Sequence, residues 1–175
     1  MGERTVNIRH YGVSILVLEH IHRIDTDSTH GWQLRYGQPT LFFSDNKAPD
    51  EGPKYLLSLK RAVDALRQRI ADLPAPTGLQ SEVSMHKKSK TPVGISGPIL
   101  RQRPGRSVPE WHFSVNLPRF GDKTWRRSVY IAKQKTYTPE RYTEALNTAL
   151  DMRKAAETQY QLEATAAKRR EASKL

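Results

Sequence analysis

The chain lacks cysteine, a long hydrophobic run and an apolar leader, and each absence excludes a class of protein. Without cysteine it has neither a disulfide framework nor a thiolate zinc site, which fits a reducing compartment. The longest apolar run, residues 13–18, is far shorter than the roughly 20 residues of a membrane-spanning helix. Residues 1–5 contain no apolar segment, so we expect no secretory signal peptide. These absences predict a cytoplasmic protein without a membrane partner.

The sequence also lacks the spacings that are typical of catalytic and metal sites. Four histidines are the only cluster that could bind a metal, namely His10, His20, His22 and His30. The sequence around them has no paired cysteines, no His-Glu-x-x-His motif and no carboxylate at a spacing that is typical of a metal site. Residues 94–98 lack the context of a nucleophile elbow, and residues 121–122 lack a phosphate-loop pattern. We therefore expect no enzyme, no bound metal and no cofactor.

What the chain does have is positive charge, unevenly distributed. The net charge is +11, and residues 93–135 contain nine Lys and Arg against two Asp and Glu. Residues 1–52 contain five Lys and Arg against seven Asp and Glu, so this segment is net acidic. A concentrated basic patch indicates a polyanion-binding protein, because each neutralised phosphate releases condensed counterions. A basic protein without such a partner is the alternative on charge alone.

Three segments of the second half alternate in polarity with period two, at residues 100–105, 110–117 and 125–131. Loops containing Pro and Gly separate them, so we predict three short antiparallel strands. On the middle strand four apolar side chains share one face, namely Trp111, Phe113, Val115 and Leu117. The polar residues between them share the other face. Trp111 and Trp125 are accordingly predicted to be core residues. Strict alternation turns Arg127 inward as well, so either the strand starts with a bulge there or the guanidinium reaches the sheet edge.

A helix is predicted directly after these strands. It begins at Thr138-Pro139-Glu140, with Thr as the N-cap, Pro at the first helical position and an acid near the positive end of the helix dipole. Its apolar residues recur at helical spacing and can cover the apolar side of the sheet, namely Tyr142, Leu146, Ala149 and Leu150. The other side of the sheet is expected to face solvent. Basic and hydrogen-bonding residues stand there, namely Arg101, Arg103, His112, Ser114, Asn116, Arg126, Ser128 and Tyr130.

In this order of motifs the chain resembles the AP2/ERF DNA-binding domain, including its bacterial and phage relatives, over roughly residues 96–155. The likeness rests on Leu-Arg-Gln-Arg-Pro at 100–104, a Trp-started strand, Val-Tyr-Ile-Ala at 129–132, and Thr-Pro-Glu before an Ala/Leu-rich helix. The resemblance implies a three-stranded sheet that enters the major groove with the helix packed behind it. It also implies that Arg101 and Arg103 match the arginines of the first strand. Four further positions match groove-facing residues, namely Ser114, Asn116, Ser128 and Tyr130.

The first half of the chain repeats this plan. Trp32 corresponds to Trp111, residues 41–43 correspond to 129–131, and a helical pattern at 53–73 corresponds to the later helix. We therefore predict an α+β protein of two βββα units, each a small three-stranded antiparallel sheet packed on one helix, with one extra leading strand. The units are expected at 1–73 and 96–175, joined by a linker at 74–95. A single strand is expected from Val13 to Ile24.

The first unit differs from the second in its surface. Its outward positions are Gln33, Arg35, Thr40 and Phe42, and its surroundings are net acidic, so we expect it to bind phosphate poorly. It is either a degenerate copy that packs against the second unit, or a surface for a homodimer or a protein partner, and we favour the second. The linker lysines could follow a phosphate backbone or only be solvated. The basic helix end at 168–170 could contact nucleic acid, pack on a second subunit, or fray.

Together these patterns predict a sequence-specific, double-stranded DNA-binding transcriptional regulator. Arg101 and Arg103 would read bases, and Asn116 and Tyr130 would add hydrogen bonds. The phosphate contacts are expected from Arg106, Arg119 and Lys123, with His112, Ser114, Arg126 and Ser128 completing the surface. The protein would be cytoplasmic, and nucleoid-associated when bound. The alternative is a protein-interaction module that binds an acidic partner through the same basic surface. RNA binding is less favoured, because no exposed aromatic pair is expected in mid-strand.

Overall fold

A computed structural model describes residues 2–47, 52–87, 89–102, 104–105 and 107–174. The chain divides into two compact units, one formed by residues 1–76 with 164–175 and the other by residues 77–163. Within the described residues there are eight β-strands in three antiparallel sheets, and two α-helices. The prediction of a mixed α+β fold is confirmed. The structure has three sheets where two were predicted, because a two-stranded hairpin with a sheet of its own stands in place of the single leading strand.

The leading hairpin consists of β1 (Glu3–Ile8) and β2 (Val13–Leu18), which pair antiparallel. The prediction of one strand from Val13 to Ile24 is wrong, because the chain turns at His20 and β3 (Ile21–Asp25) joins another sheet. His20 has φ of 73°, a left-handed conformation that interrupts an extended strand. Its carbonyl accepts a hydrogen bond from the backbone N–H of Arg35 at 2.8 Å.

The sheet of the first unit contains β3, β4 (His30–Leu34) and β5 (Leu41–Ser44), in that order. One of its faces packs against α1 (Lys54–Asp72), which confirms the helix predicted from the apolar spacing at 53–73. The core of this unit is formed by completely buried side chains from the hairpin, the sheet and the helix, namely Ile8, Ile21, Trp32, Leu34, Ala62 and Leu66. The indole N–H of Trp32 donates to the carbonyl of Tyr55 at 2.8 Å.

A buried ion network lies within this unit. Arg23, whose side chain is 4% exposed, donates to Asp25 at 2.8 Å and to Asp45 at 2.7 Å. The hydroxyl of Ser58 also donates to Asp45, and the Arg23 guanidinium lies 5.1 Å from the ring centre of Trp32. Burial alone would raise the pKa of Asp25, but hydrogen bonds from Arg23 and His30 outweigh it and hold the pKa below its usual value. The charge of Arg23 is therefore compensated within this cluster.

The second unit contains β6 (Ile95–Arg101), β7 (Glu110–Leu117) and β8 (Trp125–Lys133), in that order within one sheet. The prediction of a first strand at 100–105 is wrong, because β6 begins before it and ends at Arg101. The helix α2 (Pro139–Ala172) follows. Its predicted start is confirmed: Pro139 is the first helical residue, and the hydroxyl of Thr138 accepts the backbone N–H of Arg141 at 3.3 Å. Neither α1 nor α2 has an apolar stretch long enough to cross a bilayer, in the part of the chain that the structure describes.

The last turns of α2 belong to the first unit. Ala172 packs against the core of that unit, and Lys168 donates to the Glu19 carboxylate at 2.8 Å. Arg169 donates to the carbonyl of Ile70 at 3.2 Å. Contact with nucleic acid, packing on a second subunit and fraying were all left open for this basic helix end, and the structure shows it held by contacts within the first unit.

The described residues between α1 and β6 form neither helix nor strand. In this segment the Lys87 ammonium donates to the carbonyls of Thr91 at 2.7 Å and Pro92 at 2.5 Å. Burial lowers the pKa of Lys87. This lysine therefore holds the loop that leads into β6, and Lys88 lies outside the described residues.

The contribution of the buried ion network to stability can be tested at Arg23. Arg23→Met keeps an apolar stem but leaves two carboxylates buried without their cation, so we expect the free energy of unfolding to fall by about 3–5 kcal/mol. The matched control is Arg67→Met, because Arg67 and Asp64 form an exposed pair at 3.7 Å. Such pairs are worth no more than about 1 kcal/mol. Urea unfolding at pH 7, followed by circular dichroism, measures both, and equal losses would contradict the prediction.

The same variant should change the acid sensitivity of the protein. A carboxyl with a depressed pKa stabilises the fold above its unfolded pKa, and this stability is lost as the pH falls through the folded pKa. For Asp25 that window lies below the usual aspartate pKa of about 3.9. The wild type should therefore lose more stability than Arg23→Met between neutral pH and this acidic window.

Candidate nucleic-acid interface

The helix α2 covers only one face of the sheet β6–β8. Phe113 and Val115 are completely buried on that face, and Ala149 of α2 is completely buried opposite them. The rings of Phe113 and Tyr142 meet edge to face with their centres 5.1 Å apart. The predicted packing of the apolar side of the sheet on the helix is confirmed.

The opposite side of this sheet, called the outer face below, is defined by the residues that alternate with the covered ones. Its members on the three strands are Ser96, Ile99 and Arg101 of β6, Glu110, His112, Ser114 and Asn116 of β7, and Arg126, Ser128, Tyr130 and Lys133 of β8. The strand register places Asn116 opposite Arg126, and the Arg126 guanidinium donates to the Asn116 side-chain oxygen at 3.2 Å. The structure thus brings most of the predicted contact residues onto one surface.

Two of the predicted contact residues are not accessible. His112 is 2% exposed and Ser114 is 9% exposed, although both lie on the outer face. Both lie on the central strand, where Ile99 and Tyr130 flank His112 and where Ser96 and Ser128 flank Ser114. The Tyr130 ring lies 5.5 Å from the His112 ring, centre to centre, and the Glu110 carboxylate lies 3.4 Å from His112 Nε2. The expectation that His112 and Ser114 face solvent is therefore wrong.

Glu110 is a member of the outer face that the sequence reasoning did not identify. It is 6% exposed, and its Cα pairs with those of Arg101 on one side and Lys133 on the other. A carboxylate thus lies among the cations of this surface. Strand alternation could have identified Glu110, because it is two residues before His112 and therefore lies on the same face.

The exposed members of the outer face lie on the two edge strands. Arg101, Arg126, Ser128 and Lys133 are exposed, and Tyr130 is 48% exposed. Asn116 is half-buried at the end of β7. Two residues predicted to contribute to this surface, Arg103 and Arg106, lie outside the described residues.

The loop between β7 and β8 carries the predicted phosphate-binding residues. Arg119 and Lys123 are both exposed there. Arg119 forms an ion pair with Asp122 at 2.8 Å, and both side chains are about half exposed. Exposed pairs of this kind are weak, so the Arg119 guanidinium can exchange its carboxylate for another anion at little cost.

The start of β8 differs from the prediction. Trp125 is 48% exposed, so its assignment to the core is wrong, whereas Trp111 is half-buried and packs against the core. Arg127 is exposed, and its guanidinium stacks on the Trp125 ring at 4.1 Å from the ring centre. The pairing of β7 with β8 is regular at Arg127 and irregular between Trp111 and His112, so the strand has no bulge at Arg127. Alternation predicts the face of the sheet on which Trp125 and Arg127 lie, but it does not predict how deeply they are buried.

A buried arginine supports the end of β7 that carries Asn116. Arg153 of α2 is 9% exposed, donates to the Asn116 carbonyl, and pairs with Glu157 at 2.5 Å. The backbone N–H of Asn116 donates to the Gly94 carbonyl at 2.7 Å. Gly94 has φ of +73°, and a Cβ there would lie 2.8 Å from the Arg153 guanidinium. Arg153 is thus a positioning residue that local sequence patterns did not reveal.

The four histidines considered as metal ligands have other contacts. His30 Nδ1 lies 2.9 Å from Asp25, the His10 and His30 rings stack with centres 4.5 Å apart, and His22 Nδ1 lies 2.9 Å from the Arg4 guanidinium. Among the described residues, no three His, Asp or Glu side chains form a group that could hold a metal ion.

Comparisons of the chain with family models, with curated proteins and with solved structures found no match. The resemblance to the AP2/ERF domain therefore stays a prediction. What the outer face can do has to be inferred from its own geometry, which is a half-covered sheet with cations and hydrogen-bonding groups on the uncovered side.

The support of β7 by Arg153 can be tested at Gly94. Gly94→Ala and Gly121→Ala each place a Cβ at a φ near +70°, but only the Cβ at Gly94 would meet another group. Both variants should lose roughly 1–2 kcal/mol of unfolding free energy from the left-handed conformation. Gly94→Ala should lose about 1.5–3 kcal/mol more of unfolding free energy, because its Cβ displaces the charged hydrogen bond from Arg153 to Asn116. Equal losses in urea unfolding would show that Arg153 does not hold this segment.

Proposed function

We propose that the second unit binds double-stranded DNA through the outer face and that the protein acts as a sequence-specific, non-enzymatic transcriptional regulator. One observation carries the proposal: the covered face of the sheet is apolar, while the edge strands expose Arg101, Arg126, Ser128, Tyr130 and Lys133 on the other side. The nine Lys and Arg of residues 93–135, against two acids, give this part of the chain the charge that a duplex attracts.

A sheet of this size suits the major groove, which admits a two-stranded β-ribbon as readily as a helix. Arginine can donate two hydrogen bonds to guanine O6 and N7, and we assign this role to Arg101 and Arg126. Asn116, held beside Arg126, supplies an amide that can pair with adenine. Arg103 is assigned the same role as Arg101, on its position in the sequence alone.

The burial of His112 and Ser114 narrows the set of base-reading residues. We assign the direct contacts to the exposed edge strands and to Asn116, and give His112 a supporting position beneath Tyr130. Glu110 then limits where a phosphate can approach, because a carboxylate near Arg101 and Lys133 repels it. This arrangement favours base edges over backbone at the centre of the outer face.

Phosphate contacts are assigned to the β7–β8 loop. Arg119 and Lys123 are exposed there, and the weak pair between Arg119 and Asp122 can open when a phosphate arrives. Arg106 is assigned to the same role from its place in the sequence. Such contacts set the register of the protein on the duplex without reading sequence.

The order of three strands followed by a helix occurs twice, in β3–β5 with α1 and in β6–β8 with α2. We propose that these are related βββα units of AP2-like type, with the β1–β2 hairpin as an addition to the first. The apolar face of each three-stranded sheet packs on its helix, which is the arrangement that this relation requires.

Base reading is tested at Arg101. Arg101→Ala should weaken binding to the preferred duplex by about 1–3 kcal/mol and relax the base preference at one position, because a bidentate contact is lost. The preferred duplex is first selected from a random pool by the full chain. Fluorescence anisotropy with that duplex and with single-position variants measures the effect, and a uniform loss on every sequence would contradict a base-reading role.

Phosphate contact is tested at Lys123. Lys123→Ala should weaken binding to all duplexes alike and make the slope of log affinity against log salt shallower by about one. Lys154→Ala is the matched control, because Lys154 is an exposed lysine of α2, on the helix behind the sheet. If no duplex is retained and an acidic protein partner binds through the same residues, the DNA proposal is wrong.

A further inference from the structure

A cationic cleft in the first unit lies between the leading hairpin and the first sheet. It has a volume of about 320 Å³, and all of its lining residues belong to the first unit. Its lining residues come from β1, from the turn after it and from β3, namely Arg4, Val6, Asn7, Arg9, His22, Arg23 and Asp25. Three arginines from separate positions in the chain therefore converge on one space, and the hairpin that supplies two of them is additional to the βββα plan.

Arg4 is held in a fixed position at this cleft. Its guanidinium donates to the Ile21 carbonyl at 2.9 Å and approaches His22 Nδ1 at 2.9 Å. Burial lowers the pKa of His22, and the charges of Arg4 and Arg35 lower it further, so the ring is neutral at neutral pH. With Nδ1 accepting from Arg4, the ring proton stands on Nε2, which makes His22 a second hydrogen-bond donor at this cleft.

The charge of Arg23 is compensated, whereas the charges of Arg4 and Arg9 are not. Asp25 is the acidic residue of the lining, and its Oδ1 accepts from Arg23 and from His30. Asp45 takes the remaining donors of Arg23. Arg4 and Arg9 form no ion pair within the described residues. Three arginines against Asp25 and Asp45 therefore leave the cleft and the adjoining ion network with a net positive formal charge.

The net acidity of residues 1–52 does not describe this cleft. Of the seven Asp and Glu residues in this segment, Asp25 and Asp45 form ion pairs with Arg23, and Glu19 forms an ion pair with Lys168 at 2.8 Å. Two more lie outside the described residues. The expectation that the first unit binds phosphate poorly came from the summed charge, and the positions of the charges lead to the opposite inference.

We propose that this cleft binds a phosphate group and that in the full chain this group is a phosphodiester of nucleic acid. Arg4 and Arg9 supply charge-assisted donors, Asn7 supplies an amide and His22 supplies a neutral ring N–H. The nucleic-acid form of the inference depends on the proposed function, because it adds a second contact region to a DNA-binding protein. The phosphate-binding form does not.

The first experiment compares two charge-removing variants of the first unit. Arg9→Gln removes a cleft charge, and Lys60→Gln removes an exposed charge of α1 that does not line the cleft. At roughly 0.1 M salt, Arg9→Gln should bind the selected duplex up to about tenfold more weakly, with a salt slope shallower by about one. Lys60→Gln should change neither. Equal behaviour of the two variants would overturn the nucleic-acid form, whatever Arg101→Ala does in the second unit.

The second experiment titrates the wild-type chain with inorganic phosphate and, separately, with the duplex, while backbone amide NMR signals are followed. Shifts at residues 4–9 and 22 with both ligands would support a phosphodiester site. Shifts there with inorganic phosphate alone, in a chain that binds no duplex, would support a free-phosphate site and reject the proposed DNA function. No shifts at these residues with either ligand would overturn the inference.

Discussion

The second unit depends on the burial of one side of a three-stranded sheet beneath a single helix. Phe113 and Val115 lose all contact with water against α2, and apolar surface buried in this way contributes about 25 cal/mol per Å². Because side chains alternate along a strand, fixing these residues inward fixes their neighbours outward. The exposed residues on the edge strands of the outer face make no contribution to that core, so they are available for recognition. Arg153 adds the rigidity that places Asn116 beside Arg126.

The two units use charge differently. In the first, Arg23 is enclosed with Asp25 and Asp45, where a cation and its carboxylates have to satisfy one another. In the second, Arg101 and Arg126 project from edge strands into solvent. Summing charges over a segment mixes these two situations, because an enclosed ion pair contributes nothing to the field that a distant polyanion meets. The position of each charge, more than the total, therefore decides where a phosphate can be held.

Much of the fold could be predicted from local pattern. Period-two alternation predicted β7 and β8, and apolar spacing with the Thr138 cap predicted α2, whereas the first strand was predicted at 100–105 and β6 is Ile95–Arg101. What failed depended on neighbours distant in sequence. Alternation assigns a side chain to a face but not to a depth, so the burial of His112 and the exposure of Trp125 were both missed. Arg153 contacts a carbonyl 37 residues away, and no local signal reports such a contact.

The final turns of α2 have a consequence for the order of biosynthesis. The first unit includes Ala172, Lys168 and Arg169, which follow the whole second unit in the chain. During translation at about 5–20 residues per second, these residues emerge roughly 5–20 s after Pro76. The nascent N-terminal portion must wait through that interval with part of its hydrophobic surface uncovered. Of the two units, the first is thus begun earlier and completed later, which leaves a defined period in which a chaperone can protect it.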